Sequence, residues 1–345
     1  MIDLRSDTLS LPTAEMLQAI LQAPLGDDGR VTKNGRGEDP TVRELEDTMA
    51  ALTGKEGALF CNSGTMGNTA ALLTWCRPHD TVLADSLQHL YKSEKAAFSS
   101  RFGQLEAVHY DSDEAGLPDR SQIKKALDTQ NISLLCVENT HNFKGGKCIP
   151  PAVLQEIYDM AKAKNVPVHM DGARLWNAME YLGVSAKDLC QYADTVMICL
   201  SKGLGAPIGS VLCGPKEFIE EARATRKLLG GNMRQAGIAA APALQAIRTW
   251  RETAGADNAN ARSCAEKLAG LKKAACYGQA QTNILMLDIT GTGLSAEEYC
   301  GRAKKKGLWI RPILPGFVRL VFYRGISREQ ALQAADILLE LDQEV

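Results

Sequence analysis

The sequence contains no apolar run close to the ~18 residues that a membrane-spanning helix needs. Nor does it carry an excess of charge of either sign. Its 39 Lys and Arg face 41 Asp and Glu, for a net charge of −2. Nucleic-acid and membrane-surface binding both draw on a basic excess, so neither partner is expected. The ten cysteines include no C-x-x-C pair, which excludes the common zinc and redox spacings and leaves no metal site to expect. Several lie within apolar runs, such as Cys136 in SLLCVEN and Cys199 in VMICLS, where a free thiol acts as a small hydrophobe. The opening MIDLRSDTLSLPT carries Asp3, Arg5 and Asp7 and lacks the apolar stretch of a signal peptide. A reduced, cytoplasmic protein is expected. Internal repeats and low-complexity segments are absent as well.

What is present is an alternation of short apolar runs with amphipathic stretches. Strands are expected at Ala58–Cys61, Thr81–Ala84, Ser133–Val137, Val166–Met170, Thr195–Leu200 and Ser210–Cys213. Helices are expected at Thr41–Thr53, Gly67–Trp75, Ser121–Leu127, Pro151–Lys164 and Lys216–Lys227. Buried strands separated by helices predict an α/β fold with a mostly parallel sheet flanked by helices. Beyond about residue 245 a long helical stretch precedes strands at Asn283–Ile289, Leu308–Pro312 and Val318–Tyr323 and a helix over Ser327–Leu341. At 345 residues one small core is too little, so a large domain (1–245) and a smaller C-terminal α+β domain (246–345) are expected.

In open α/β sheets, ligands bind beyond the carboxyl ends of the strands. The polar residues at those ends are Asn62-Ser63-Gly64-Thr65, Asp85, Glu138-Asn139, Asp171 and Ser201-Lys202. Gly64 and Thr65 open a helix whose first-turn amides form an anion site suited to a terminal phosphate. The Gly-Lys-Ser/Thr ending of a P-loop is missing, and an ordinary capped turn fits the same residues. Asp171, at a strand end in DGAR, needs a cation; a protonated pyridine nitrogen would serve, and so would Arg174. Lys202 follows the next strand and could project into the same crevice as a Schiff-base amine, or be a solvated loop lysine. The cations in RKLLGGNMR, including Lys227 and Arg234, read either as phosphate contacts or as a basic helix end.

Taken together, DLRSDT, GEDPTVRELE, SGTMGN, ENTHN–GG, HMDGARLWNA, CLSKGLGAPIGS and RKLLGGNMRQAG resemble the threonine aldolase family. These are pyridoxal-phosphate lyases of the aspartate-aminotransferase-like fold (fold type I), and the matching stretches run in order over nearly the whole chain. The resemblance implies pyridoxal 5'-phosphate on Lys202, Asp171 paired with the pyridine nitrogen, and Arg174 on the ring hydroxyl. It implies Gly64 and Thr65 on the phosphate, His89 stacked on the ring, and Lys227 and Arg234 reaching in from an adjacent subunit. Ser6 and Arg319 match the groups that bind the substrate α-carboxylate; a planar guanidinium suits that task independently. The implied reaction cleaves a β-hydroxy-α-amino acid such as threonine or allo-threonine to glycine and an aldehyde. The implied assembly is a homotetramer with active sites shared across a dimer. A β-eliminating lyase or an amino-acid racemase is the alternative on this scaffold.

Three stretches depart from the family pattern. The loop 26–40 is lengthened and has Arg36 where a tyrosine is expected. Residues 127–132 lack a histidine, and Val321-Phe322-Tyr323 replace Val-Thr-His. They predict a shifted substrate preference, for a bulkier β-substituent or a different β-hydroxy amino acid.

Overall fold

Six runs of β-branched and other apolar residues are short enough to be strands and buried enough to lie inside a sheet, and a half-buried seventh joins them at an edge. A computed structural model describes residues 1–345 and shows them as β1 (Gly57–Cys61), β2 (Thr81–Asp85), β3 (Glu106–Tyr110), β4 (Ile132–Glu138), β5 (Val168–Gly172), β6 (Thr195–Cys199) and β7 (Ser210–Gly214). Their order is β1-β7-β6-β5-β4-β2-β3. The pairs among β3, β2, β4, β5 and β6 are parallel, whereas β7 runs antiparallel to both β6 and β1. The reason lies in the connection over residues 200–209. A parallel crossover takes about a dozen residues or more, so this shorter link must send β7 back. Lys202 sits on that link.

The edge strand β3 was not among the expected strands. Its exposed Glu106 and His109 flank half-buried Ala107 and Val108, so it lacks the continuous apolar run of a strand paired on both sides. The helix Gly64–Trp75 lies flat on the sheet with Ala70, Ala71 and Leu72 fully buried. Small residues allow this closeness: a Cβ on Gly67 would stand 2.7 Å from Met197 Cγ. One apolar cluster, including Leu45, Val137, Met170 and Ile198, fills one side of the sheet. A second, including Leu72, Leu134 and Leu212, fills the other.

After the helix Trp250–Lys267, an antiparallel sheet forms from β8 (Ala275–Cys276), β9 (Ile284–Asp288), β10 (Arg311–Leu314) and β11 (Phe317–Val321), in the order β10-β11-β9-β8. The strand expected over Leu308–Pro312 is divided, because Leu308–Trp309 pairs instead with Ile2–Asp3. Ile2 and Leu4 join the apolar cluster of this region with Leu285, Leu320 and Leu338. The helix Arg328–Glu344 starts with a capping box between Ser327 and Gln330. By anchoring at Ile2–Leu4, the N-terminal segment is drawn across to the carboxyl ends of β4, β5 and β6. No helix is long and apolar enough to cross a membrane.

Candidate active site

A cavity of about 420 Å³ opens at those strand ends. Ser6, Gly64, Thr65, His89, Arg174, Lys202 and Arg319 all line it, so seven of the residues marked in the sequence meet in one place. Glu94, Asn142, Ser201 and Arg311 also face it. Asp171 lies buried directly beneath, at the end of β5. A larger hollow of about 590 Å³ lies against the helix Ala14–Gln22, away from the strand ends.

The helix Gly64–Trp75 points its N-terminus into the cavity. Ser63 caps it, its Oγ accepting from the Met66 N–H at 3.1 Å. The preceding amides of Gly64 and Thr65 have no protein acceptor and form an anion cradle. Only glycine fits at the first position, since a Cβ on Gly64 would stand 2.7 Å from Cys199 Sγ.

Asp171 accepts from the Ala173 N–H and from Asn68 Nδ2, both at 3.0 Å. Burial, reinforced by nearby Glu94, pushes its pKa up. A cation against this carboxylate would relieve that penalty, and the protonated ring nitrogen of pyridoxal phosphate is such a cation. Asn68 is held in turn, its Oδ1 lying 3.1 Å from His169 Nε2. His169 Nδ1 lies 3.0 Å from Thr195 Oγ1, which accepts from Trp75 Nε1 at 3.1 Å. Burial alone drives the His169 pKa down to about 3, so its ring is neutral.

His89 Nδ1 lies 3.1 Å from Glu94 Oε1, and its backbone N–H donates to Glu138 Oε2 at 2.7 Å. Burial lowers the imidazole pKa, but Glu94, Glu138 and Asp171 outweigh it and hold the pKa above the ordinary value. Arg174 forks onto Asp7, with Nε to Oδ2 at 2.6 Å and Nη2 to Oδ1 at 2.8 Å. Its Nη1 donates to Asn142 Oδ1 at 3.1 Å, and the same oxygen accepts from Arg319 Nη1 at 2.7 Å. Burial, with Arg174 close by, pushes the Arg319 pKa down to about 9. Its Nε, although buried, has no partner.

Two marked residues lie elsewhere. Lys227 is in the last turn of the helix Lys216–Leu228, and Arg234 pairs with Asp27 at 3.1 Å on the surface. Neither lines the cavity of its own chain. The three sequence departures also lie outside it. Arg36 turns to Asp47 at 2.7 Å, and neither residues 127–132 nor Val321–Tyr323 reach the lining. Phe143, Arg311 and Ile313, which no motif marked, line the cavity instead. Asp7, Asn68, Glu94, Asn142 and His169 were likewise not singled out, although Asp7, Asn68, Asn142 and His169 stand within quoted motifs and Glu94 follows His89 by five residues.

The chain matches the family model of beta-eliminating lyases over residues 3–292. It belongs to that family. It is 36% identical to the low specificity L-threonine aldolase of Escherichia coli K12 over 340 residues, 97% of each chain. It is also 36% identical to low-specificity L-threonine aldolase 1 of Arabidopsis thaliana over 337 residues, 94% of this chain and 92% of that one. An uncharacterized Caenorhabditis elegans protein, R102.4, is 39% identical over 272 residues, and the match spans 64% of its length. Among solved structures, Leishmania major threonine aldolase superposes with a TM-score of 0.80 at 18% identity, covering 99% of this chain and all of that one. A Thermus thermophilus aspartate aminotransferase variant gives 0.77 at 17% identity, covering 99% and 96%. At those identities the structures establish the fold, the aspartate-aminotransferase type expected from the sequence. The threonine aldolase resemblance is borne out by the relatives. This beta-eliminating lyase family member is a pyridoxal-phosphate-dependent lyase.

Proposed function

We propose that the chain cleaves β-hydroxy-α-amino acids of the threonine type to glycine and an aldehyde. One observation carries this reading: a lysine, a buried aspartate, an anion cradle and a carboxylate-binding arginine converge on one cavity, in a chain matched end to end by threonine aldolases. Pyridoxal phosphate, when bound, supplies an electron sink for the pair released as the Cα–Cβ bond breaks. Lys202 holds the cofactor covalently, and the Gly64 and Thr65 amides take its phosphate. The Asp171 carboxylate would keep positive charge on the ring nitrogen, and Arg174, which lines the cavity, would serve the ring hydroxyl. Ser6 and Arg319 orient the substrate α-carboxylate, which sets the scissile bond against the ring. His89 would lie against the bound cofactor, and with Glu94 on Nδ1 its Nε2 would be free to take the β-hydroxyl proton.

We further infer a homotetramer with active sites shared across a dimer, where Lys227 and Arg234 serve a neighbouring subunit. Leu17 and Leu21, 51% and 80% exposed on one face of the helix Ala14–Gln22, support an apolar subunit contact. Two separate apolar clusters, one on the large sheet that reaches Ala254 and one built from residues 261–341 with Ile2 and Leu4, support a large domain over 1–245 and a small one over 246–345. Ten free cysteines, eight of them buried, support a cytoplasmic location.

The test is aldehyde release from threonine, allo-threonine and phenylserine. Lys202→Ala is expected to lose both that activity and the visible band of the bound cofactor. No aldehyde from any of the three would overturn the assignment. Pyruvate or an inverted amino acid would instead assign a β-eliminating lyase or a racemase.

A further inference from the structure

The hairpin of β10 and β11 sets Arg311 directly opposite Arg319. Directly opposed residues of an antiparallel pair share a face about 5 Å apart, and like charges there repel. Both arginines line the active-site cavity. Neither forms an ion pair within the chain, and the nearest acid to Arg319, Asp7, is already paired with Arg174. Arg319 donates only to Asn142 Oδ1 and to the Arg5 carbonyl, leaving its buried Nε without a partner. Arg311 is exposed at the cavity wall, and its guanidinium has neither a hydrogen bond nor an ion pair. The third arginine of the site, Arg174, is already matched by Asp7.

The cavity therefore presents two arginines without ion-pair partners to its ligand, and Glu94, the acid on its wall, is engaged by His89 and Asn68. A threonine-type substrate supplies one anion, its α-carboxylate, which Arg319 takes. Arg311 is then left over. We propose that Arg311 recognises a second anionic group on the β-carbon side of the substrate. The class served is β-hydroxy-α-amino acids with an acidic β-substituent, of which β-hydroxyaspartate is the shortest.

This rests on the aldolase reading above and deepens it. In the cleavage, the β-hydroxyl loses its proton to the base and the Cα–Cβ bond breaks. The β-carbon becomes the aldehyde carbon of an oxo acid, glyoxylate for β-hydroxyaspartate. The electron pair left on Cα takes up a proton to give glycine. Atoms balance, and no oxidant or reductant enters.

β-Hydroxyaspartate and β-hydroxyasparagine match in shape and differ in charge. The holoenzyme should favour the acid in kcat/KM, and raised salt should weaken the preference. Arg311→Gln should lower the acid-to-amide ratio about tenfold to a hundredfold, as for a charge-assisted pair. Aspartate and asparagine lack the hydroxyl and read binding alone, through the visible spectrum of the bound cofactor. Aspartate should bind about tenfold or more tightly, and Arg311→Gln should abolish that difference. Equal binding of the two by the wild-type holoenzyme would overturn the role of Arg311. So would an equal loss on acid and amide in the variant, which would place Arg311 on the α-carboxylate or the cofactor. Absence of cleavage of every amino acid, with the aspartate preference intact, would remove the aldolase reading and leave the anion site standing.

Discussion

Asp7 and Arg174, 167 residues apart in sequence, form a two-pronged ion pair that is sealed from solvent. Burial works against the Asp7 charge, but Arg174, with Lys202 and Arg319 behind it, outweighs that and holds the pKa below the ordinary range. The pair ties the N-terminal segment to the end of β5. Asp7→Ala leaves the Arg174 charge buried and unmatched, at a cost of about 3–5 kcal/mol. Urea unfolding should show this as a lowered midpoint with little change in slope. The double variant with Arg174→Met should recover part of the loss, because the stranded charge goes too. A double variant as unstable as the sum of the two single changes would contradict the pair's role.

Asn142 joins the two arginines of the site through one oxygen. Asn142→Leu should free the Arg319 guanidinium to wander and raise KM about tenfold, with a smaller effect on kcat. Asn142→Asp acts differently. It places a carboxylate against both guanidiniums, so stability should rise while substrate binding weakens through competition with the α-carboxylate. Steady-state kinetics and thermal unfolding of the two variants separate these effects.

The strand ends were legible because buried strands of a parallel sheet read as continuous apolar runs, and the polar residue after each run stands out. Gly64, Thr65, Asp171 and Lys202 came from that rule. The partners that hold them were not legible. Asn68 reaches Asp171 from the helix Gly64–Trp75, 103 residues away in sequence, and Asp7 reaches Arg174 only because Ile2–Asp3 pairs with Leu308–Trp309. Arg311 was hidden for a different reason. Its place opposite Arg319 depends on the hairpin register, which shifts between Pro312 and Leu314. A single irregular residue decides which side chains share a face, and sequence alternation alone does not reveal it.

The chain Trp75–Thr195–His169–Asn68–Asp171 has only one consistent direction. Asn68 Nδ2 faces the Asp171 and Glu94 carboxylates and donates there, so its Oδ1 must accept from His169 Nε2. Nδ1, left without a proton, accepts from the Thr195 hydroxyl, whose oxygen accepts from the Trp75 indole. Nitrogen-15 NMR should show a single, Nε2-protonated tautomer that persists well below the ordinary histidine range. Asn68→Leu should leave Asp171 free to rotate and weaken cofactor retention, read by the visible band remaining after dialysis. Equal retention by wild type and variant would remove Asn68 as the residue that positions Asp171.

Two buried histidines should shape the pH dependence of stability in opposite directions. Burial depresses the His169 pKa to about 3. Below the ordinary histidine pKa of about 6.5 the unfolded chain takes a proton that the folded chain refuses, so stability falls with pH at up to ~1.4 kcal/mol per unit. His141 behaves otherwise. Burial lowers its pKa, but Asp85, 3.4 Å away, and Glu138 outweigh burial and the nearby Lys144 and raise it. Its stabilisation is complete below about 6.5 and is lost as pH rises through the folded pKa. Asp85 itself, with Ser112 and the Leu87 N–H as its other donors, stays ionised throughout that window. Urea midpoints across pH 4 to 9 should therefore peak near neutrality. His169→Gln should flatten the acid limb and leave the alkaline limb in place, and His141→Gln should do the reverse. The same limb flattening in both variants would mean that the two rings do not titrate as their surroundings require.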